Sequence, residues 1–162
     1  MDQLWAPWRL SYVASAKPPA AGEPCFLCRG LAESEDRNNL IVLRLSLTVV
    51  VLNRFPYNNG HLLVAPIRHK GALAELEAEE IVQIQQTLGS LVGLLDDLMH
   101  PEGYNIGLNL GRAAGAGLPG HLHWHLVPRW NGDTNFMPVL ADVKVIVQSL
   151  DSLWEMLVAK LK

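Results

Sequence analysis

Clustered positive charge is missing from this 162-residue chain. Its 13 Lys and Arg are scattered among 16 Asp and Glu, and the formal net charge is -3 with six histidines neutral. Without a basic stripe, general nucleic-acid binding through phosphate neutralisation is not expected. A small anionic ligand needs only a local site and stays open. Long apolar runs are missing too: none reaches the ~20 residues of a membrane span. The start, "MDQLWAPWRLSYV", has an early acid and scattered tryptophans where a secretory signal has a basic start and an apolar block. No such signal is expected. Cysteine is limited to Cys25 and Cys28, too close in sequence to staple a fold. Together these absences make the cytoplasm the expected location.

What is present suits one compact domain. Apolar residues make up 49% of the chain and charged ones only 18%, so it reads as globular and not disordered. At this length roughly 70% of the unfolded surface can be buried. The slightly positive mean hydropathy points to some apolar surface covered by a second subunit. Residues 1–14 form an aromatic-rich arm, and "SAKPPAAGEP" (15–24) is a connector. "NLIVLRLSLTVVVLN" reads as two strands with a turn near Leu45 and Ser46, and "HLLVAP" as a third strand after the turn residues "FPYNNG". From Leu73 to Met99 apolar residues recur at three- and four-residue spacing, which predicts one long amphipathic helix, acidic in its first turns. "GYNIGLNLG" (103–111) and "HLHWHLVP" (121–128) read as strands four and five, separated by the glycine-rich "GRAAGAGLPG". Val143, Ile146, Leu150, Leu153, Trp154, Leu157 and Leu161 mark a closing helix. Short connections imply antiparallel pairing. The expected fold is α+β, with an arm and linker over 1–24, the domain over 25–140, and a C-terminal helix over 141–162 packed on it.

"GHLHWHLVPRW" (120–130) carries three imidazoles at every second position. Side chains alternate along a strand, so His121, His123 and His125 project from one side and Leu122, Trp124 and Leu126 from the other. A water-facing row has no need of histidine at all three places. A single metal held by all three is strained, because the outer Cα atoms of such a strand lie about 13 Å apart. The reading that fits best gives the rings different tasks around one anionic ligand. A neutral imidazole is a good nucleophile near pH 7, while a neighbouring ring or a backbone amide holds phosphate oxygens. The adjacent glycine-rich loop supplies amides of the kind that cradle phosphates.

These residues resemble the His-φ-His-φ-His-φ-φ signature of the histidine-triad family of nucleotide hydrolases and transferases. The resemblance extends back through "NRFPYNNGHLLVAP" and "NIGLNLGRAAG" and covers roughly residues 25 to 130. "LWAPWR" and "PRWNGDTNFMP" resemble the bacterial branch that includes diadenosine tetraphosphate phosphorylases. The resemblance implies a roughly five-stranded antiparallel sheet with one long central helix, joined across a homodimer whose joint the aromatic arm could cover. It implies that His123 is the nucleophile toward the α-phosphorus, and that His125 holds phosphate oxygens and assists the leaving group. His61 would join this catalytic set. Asn53 would lie near the ribose, Leu63 in the base pocket, and Asn109 near the α-phosphate. Asn53 could equally just end its strand. Asn109 is unusual in an apolar strand, since a buried amide needs partners. Where many relatives have Ser, Thr or Gln before the triad, this chain has Ala116 to Gly120. Leaving-group contacts are then expected from backbone amides, Arg112 or "NGDTN".

Cys25 and Cys28 form a Cys-x-x-Cys pair, half of a zinc site or a redox pair. A thioredoxin-like βαβ setting is not evident. His69 and His121 are candidates for the other two ligands, and some bacterial relatives place ligands at these four positions. Zinc is preferred over two reduced cysteines in an apolar turn, and a closed site of this kind is structural. His100 is read as a helix C-terminal residue.

The leading functional expectation is cleavage of a dinucleoside polyphosphate through a nucleotidyl-histidine, with a divalent cation possible on the substrate's phosphates. Rivals are a purine nucleoside phosphoramidate hydrolase, a nucleotide-binding regulatory protein, and a metal-dependent hydrolase using the row as ligands.

Overall fold

In a computed structural model, residues 25–141 and 145–161 are described. The arm and connector expected over 1–24, and Val143, lie outside them. The described elements run α1 (Phe26–Ala32), β1 (Ile41–Arg44), β2 (Thr48–Leu52), β3 (Leu62–Pro66), α2 (Ala78–Met99), β4 (Gly103–Leu108), β5 (Trp124–Arg129), α3 (Met137–Ala141) and α4 (Leu150–Leu161). The five described strands form one sheet in the order β1-β2-β3-β5-β4, antiparallel throughout. This is the α+β architecture that the sequence pattern implies.

β2 is "TVVVL", β-branched at four of five positions, and all five residues are buried. Its register pairs Val51 with Leu63 and Leu52 with Leu62. β3 in turn pairs Leu63 with His125 and Leu62 with Leu126. Directly opposite residues share a sheet face. Leu62, Val64 and Leu126 therefore belong to one face, and Val51, Leu63 and His125 to the other. The first face packs against α2 through Ile84, Leu88, Leu91 and Leu95, a stripe at helical spacing. The second face carries the histidines.

The long helix begins later than the periodicity predicts. Leu73–Glu75 is a single 3-10 turn, and the regular helix starts at Ala78. The Glu75 carboxylate folds back to accept the amides of Gly71 and Ala72 at 3.1 and 2.9 Å. Glu80 likewise accepts the Glu77 amide at 2.9 Å, closing a cap that starts the helix anew. At the other end His100 adopts a left-handed φ of 48° as the C-cap, before Pro101. The fifth strand also starts late, at Trp124, and the fourth ends at Leu108. Ile146 precedes α4 without being helical, so the closing helix is shorter than expected. Within α4, Leu153 and Leu157 are buried, and the Trp154 indole donates to the Ile41 carbonyl of β1 at 2.8 Å. Among the described residues no helix is long and apolar enough to cross a membrane.

Candidate functional site

The lead-in to β5, residues 121–123, does not pair with β3. It runs beside the segment after β3, where the Leu122 amide donates to the Lys70 carbonyl at 2.7 Å. Three backbone groups then decide which nitrogen each imidazole offers. A carbonyl can only accept, so His121 donates Nε2–H to the Pro66 carbonyl at 2.8 Å and keeps its lone pair on Nδ1. His123 donates Nδ1–H to the His121 carbonyl at 2.9 Å, which leaves the lone pair on Nε2. An amide can only donate, so the Tyr57 N–H fixes His61 Nδ1 as an acceptor at 2.9 Å. His61 Nε2–H then faces His125 Nδ1 at 2.9 Å, and the remaining proton of a neutral His125 sits on Nε2. That nitrogen is buried and has no hydrogen-bond partner among the described residues.

All three triad rings are held neutral. Burial lowers the pKa of His121 and His123, and burial followed by the proximity of His123 pushes His125 down to about 4. His123 is only 7% exposed, and its ring centroid lies 5.1 Å from that of His125. The site therefore sets a nucleophilic nitrogen on His123 beside a donor on His125. Tyr57 stacks on His125 with centroids 5.6 Å apart and an 18° tilt. Sequence reasoning missed Tyr57. Its signal was the four-residue spacing to His61, but only the folded turn brings its amide onto the ring.

Beside His125 in register, Leu63 opens into a cleft of about 270 Å³. Phe26, Leu40, Val51 and Phe55 give it apolar walls, with Arg29 and Arg54 at its edge. That volume lies just under the roughly 300–1,000 Å³ of small-molecule sites. Asn53 lies just past β2. Its Oδ1 accepts the Phe55 amide at 3.0 Å and its Nδ2 lies 3.2 Å from His61 Nδ1, so the amide braces the turn that carries His61. Asn109 follows β4 half-buried and makes no side-chain hydrogen bond among the described residues. The expectation of a buried amide inside an apolar strand is corrected to a half-buried loop amide just past β4, whose Nδ2 a Cβ added at Gly115 would meet at 3.9 Å.

The glycine-rich loop is less open than expected. The amides of Gly115 and Ala116 are bonded to the Arg112 and Gly111 carbonyls. Arg112 is exposed and makes no ion pair among the described residues. In "NGDTN", Asp133 accepts from Arg129 at 2.5 and 3.0 Å and from Asn58 at 2.8 Å. This acid braces the end of β5 and the 57–61 turn.

A second cluster lies at the far end of the row. Cys25, Cys28, His69 and His121 bring their ligand atoms within 4.8 Å of one another. Cys25 Sγ is 3.3 Å from His121 Nδ1, and Cys28 Sγ is 3.2 Å from His69 Nδ1. A tetrahedron with Zn–S and Zn–N bonds of 2.3 and 2.0 Å has edges of roughly 3.3 to 3.8 Å, close to the sulfur–nitrogen separations of 3.2 to 3.6 Å between the cysteines and the two imidazoles. His121 presents its lone pair to the sulfurs because Pro66 takes the proton of the other nitrogen, the second-shell bond that such ligands have. Burial, then the neighbouring Cys25, pushes the Cys28 thiol up to about 11, so without a cation that sulfur stays protonated. The four residues fit a closed cation site. Arg44 ties this corner down by donating to the Gly30, Leu31 and Glu33 carbonyls at the end of α1.

A family model for the HIT domain matches residues 34–132. The chain belongs to the HIT family. It is 37% identical over 154 residues to the AP-4-A phosphorylase of Mycobacterium tuberculosis, covering 93% of this chain and 79% of that protein. It is 27% identical over 117 residues to an adenosine 5'-monophosphoramidase of Schizosaccharomyces pombe, covering 72% and 84%. A zinc-bound HIT protein from Mycobacterium smegmatis superposes with a TM-score of 0.60 at 21% identity, over 93% of this chain and 91% of that one, and so shares the fold. Within the HIT fold, the triad row of this chain divides in two: His121 faces the cysteines, while His123 and His125 face the cleft side with His61.

Proposed function

We propose that this HIT protein cleaves dinucleoside polyphosphates, diadenosine tetraphosphate first among them, through a covalent nucleotidyl intermediate on His123. One observation carries the reading: the lone pair on His123 Nε2 stands beside the N–H of His125, which has no partner among the described residues, next to a cleft of nucleoside scale. The Nε2 lone pair attacks the α-phosphorus, forming a P–N bond, while the P–O bond to the rest of the chain breaks. His125 Nε2–H donates a hydrogen bond to the departing oxygen, which leaves as the nucleotide anion, and the His61 Nε2–H bond to His125 Nδ1 holds His125 in the tautomer that makes this possible. ATP leaves. Inorganic phosphate then attacks the adduct, restoring His123 and releasing ADP; water in its place releases AMP. The named activity of the mycobacterial relative supports phosphate as the acceptor.

Leu63 lines the base pocket, Asn53 lies toward the ribose, and Asn109 lies toward the α-phosphate. A divalent cation travels with the substrate's phosphates. Cys25, Cys28, His69 and His121 hold zinc, which supplies a structural crosslink and leaves the chemistry to the other imidazoles. A reducing cytoplasm suits these sulfurs. The protein is a homodimer joined along β4, an edge strand whose Ile106 is 49% exposed.

Incubation with diadenosine tetraphosphate, with and without inorganic phosphate, tests the reading. ADP is expected only when phosphate is present. His123→Asn should abolish turnover and keep nucleotide affinity within tenfold; turnover that persists in this variant defeats the mechanism. The monophosphoramidase relative supports one rival, hydrolysis of a nucleoside phosphoramidate by the same residues. A faster reaction on adenosine phosphoramidate than on the dinucleotide would favour that rival.

A further inference from the structure

We infer that the Cys25–Cys28–His69–His121 cluster positions the nucleophile, acting through the backbone carbonyl of His121. The inference rests on the proposed role of His123. His121 is fully buried and held at three points: its Nδ1 faces the two sulfurs, its Nε2–H donates to Pro66, and its carbonyl accepts Nδ1–H of His123 at 2.9 Å. That last bond sets the tautomer and the plane of the His123 ring. The carbonyl is not fixed by the sheet, because the first ladder pairs of β5 involve Trp124. Apart from the cluster, residues 121–122 are tethered by the Leu122 amide to Lys70 and by a long 3.4 Å bond from the His121 amide to Leu118. Pro66, His69 and Lys70 lie on one short segment, so the same stretch grips the lead-in by ring, carbonyl and ligand. A bound cation would lock that stretch, the start of α1 and the carbonyl together. Misplacing a reacting group by about 1 Å costs on the order of a hundredfold in rate. No cluster residue needs to touch substrate for this.

His69 is the exposed member of the four, so His69→Ala removes a ligand without opening the core. His69→Cys restores a fourth donor. Cobalt(II) is the probe, since its visible absorption reports thiolate coordination. In the Ala variant, cobalt affinity should fall at least tenfold and kcat on diadenosine tetraphosphate about thirtyfold. KM should stay within twofold. The proton resonance of His123 Nδ1–H, protected from exchange by its hydrogen bond, should disappear. The Cys variant should recover all of these. Stepwise chelation of the wild type, with circular dichroism at each step, repeats the test without a substitution. Loss of the resonance and of kcat before the sheet signal changes supports the coupling. Affinity that falls while the resonance and kcat stay put overturns it, as does a resonance that persists until the sheet melts. A wild type that turns over no dinucleotide, yet whose resonance follows the metal, would sink the functional reading and leave the coupling standing.

Discussion

His125 accepts from His61 through Nδ1 and carries its own proton on Nε2, in a setting that includes His61, Tyr57 and His123. Acquiring a second proton there means placing a charge among buried rings. Its pKa is therefore about 4 in the fold, against about 6.5 in the unfolded chain. The sign follows: the unfolded state binds the extra proton first on acidification. The contribution of His125 to stability is complete above pH 6.5 and is lost as pH falls toward 4. His125→Gln should flatten that decline by at most about 1.4 kcal/mol per pH unit. Urea midpoints at pH 7.5, 6 and 5 for both proteins check this. Parallel decline in the two would refute it. Alternation along a strand was legible for His125 between Trp124 and Leu126, whereas His121 and His123 lie in the lead-in before β5, where the row divides between the cysteines and His125. The tautomers were not legible, because the Pro66 and His121 carbonyls and the Tyr57 amide acquire their directions only from segments that fold around the row. The task of Asp133 was not legible for a similar reason: nothing in "NGDTN" announces that Arg129 and Asn58 will both claim its carboxylate.

The turn that delivers His61 depends on Gly60. Its φ is +77°, and a Cβ there would lie 3.0 Å from the Pro128 ring and 3.1 Å from the Met99 sulfur. Gly60→Ala should cost roughly 2 to 4 kcal/mol, from left-handed strain and overpacking together. Gly89 makes the opposite case within α2. It is exposed, and an added Cβ meets nothing within 4 Å. Gly89→Ala should stabilise by about 0.5 to 1 kcal/mol. Denaturant midpoints read both, and equal shifts of one sign would contradict the contrast. At this scale strand positions were largely legible, since β-branched runs bounded by turn residues have few other solutions. The ends were less so. Leu73 and Leu76 continue the helical spacing, yet Glu75 folds back on Gly71 and Ala72, and the chain straightens before Glu77 caps α2. The late start of β5 has a comparable cause, because Leu122 pairs with Lys70 and not with the sheet.

Across the whole molecule the strand order leaves β1 and β4 at the edges. α4 packs on β1 and bonds to its Ile41 carbonyl, which protects that side. β4 presents Ile106 at 49% exposure, followed by Leu110 at 48%. An open edge strand with apolar side chains pairs readily with another chain. The topology needed to see this was not in the sequence, where β4 reads simply as the fourth strand and only resemblance suggests a joined sheet. Sedimentation equilibrium of the wild type should give twice the 17.9 kDa chain mass. Ile106→Asp places a carboxylate at the joint and should weaken self-association at least a hundredfold, about 2.7 kcal/mol. Ile106 faces away from His125, being paired with Leu126 on the helix-covered side of the sheet. The separated protomer should therefore retain its far-ultraviolet circular dichroism and its cobalt absorption. A wild type that sediments as a monomer at millimolar concentration would mean that β4 is protected by something other than a second copy.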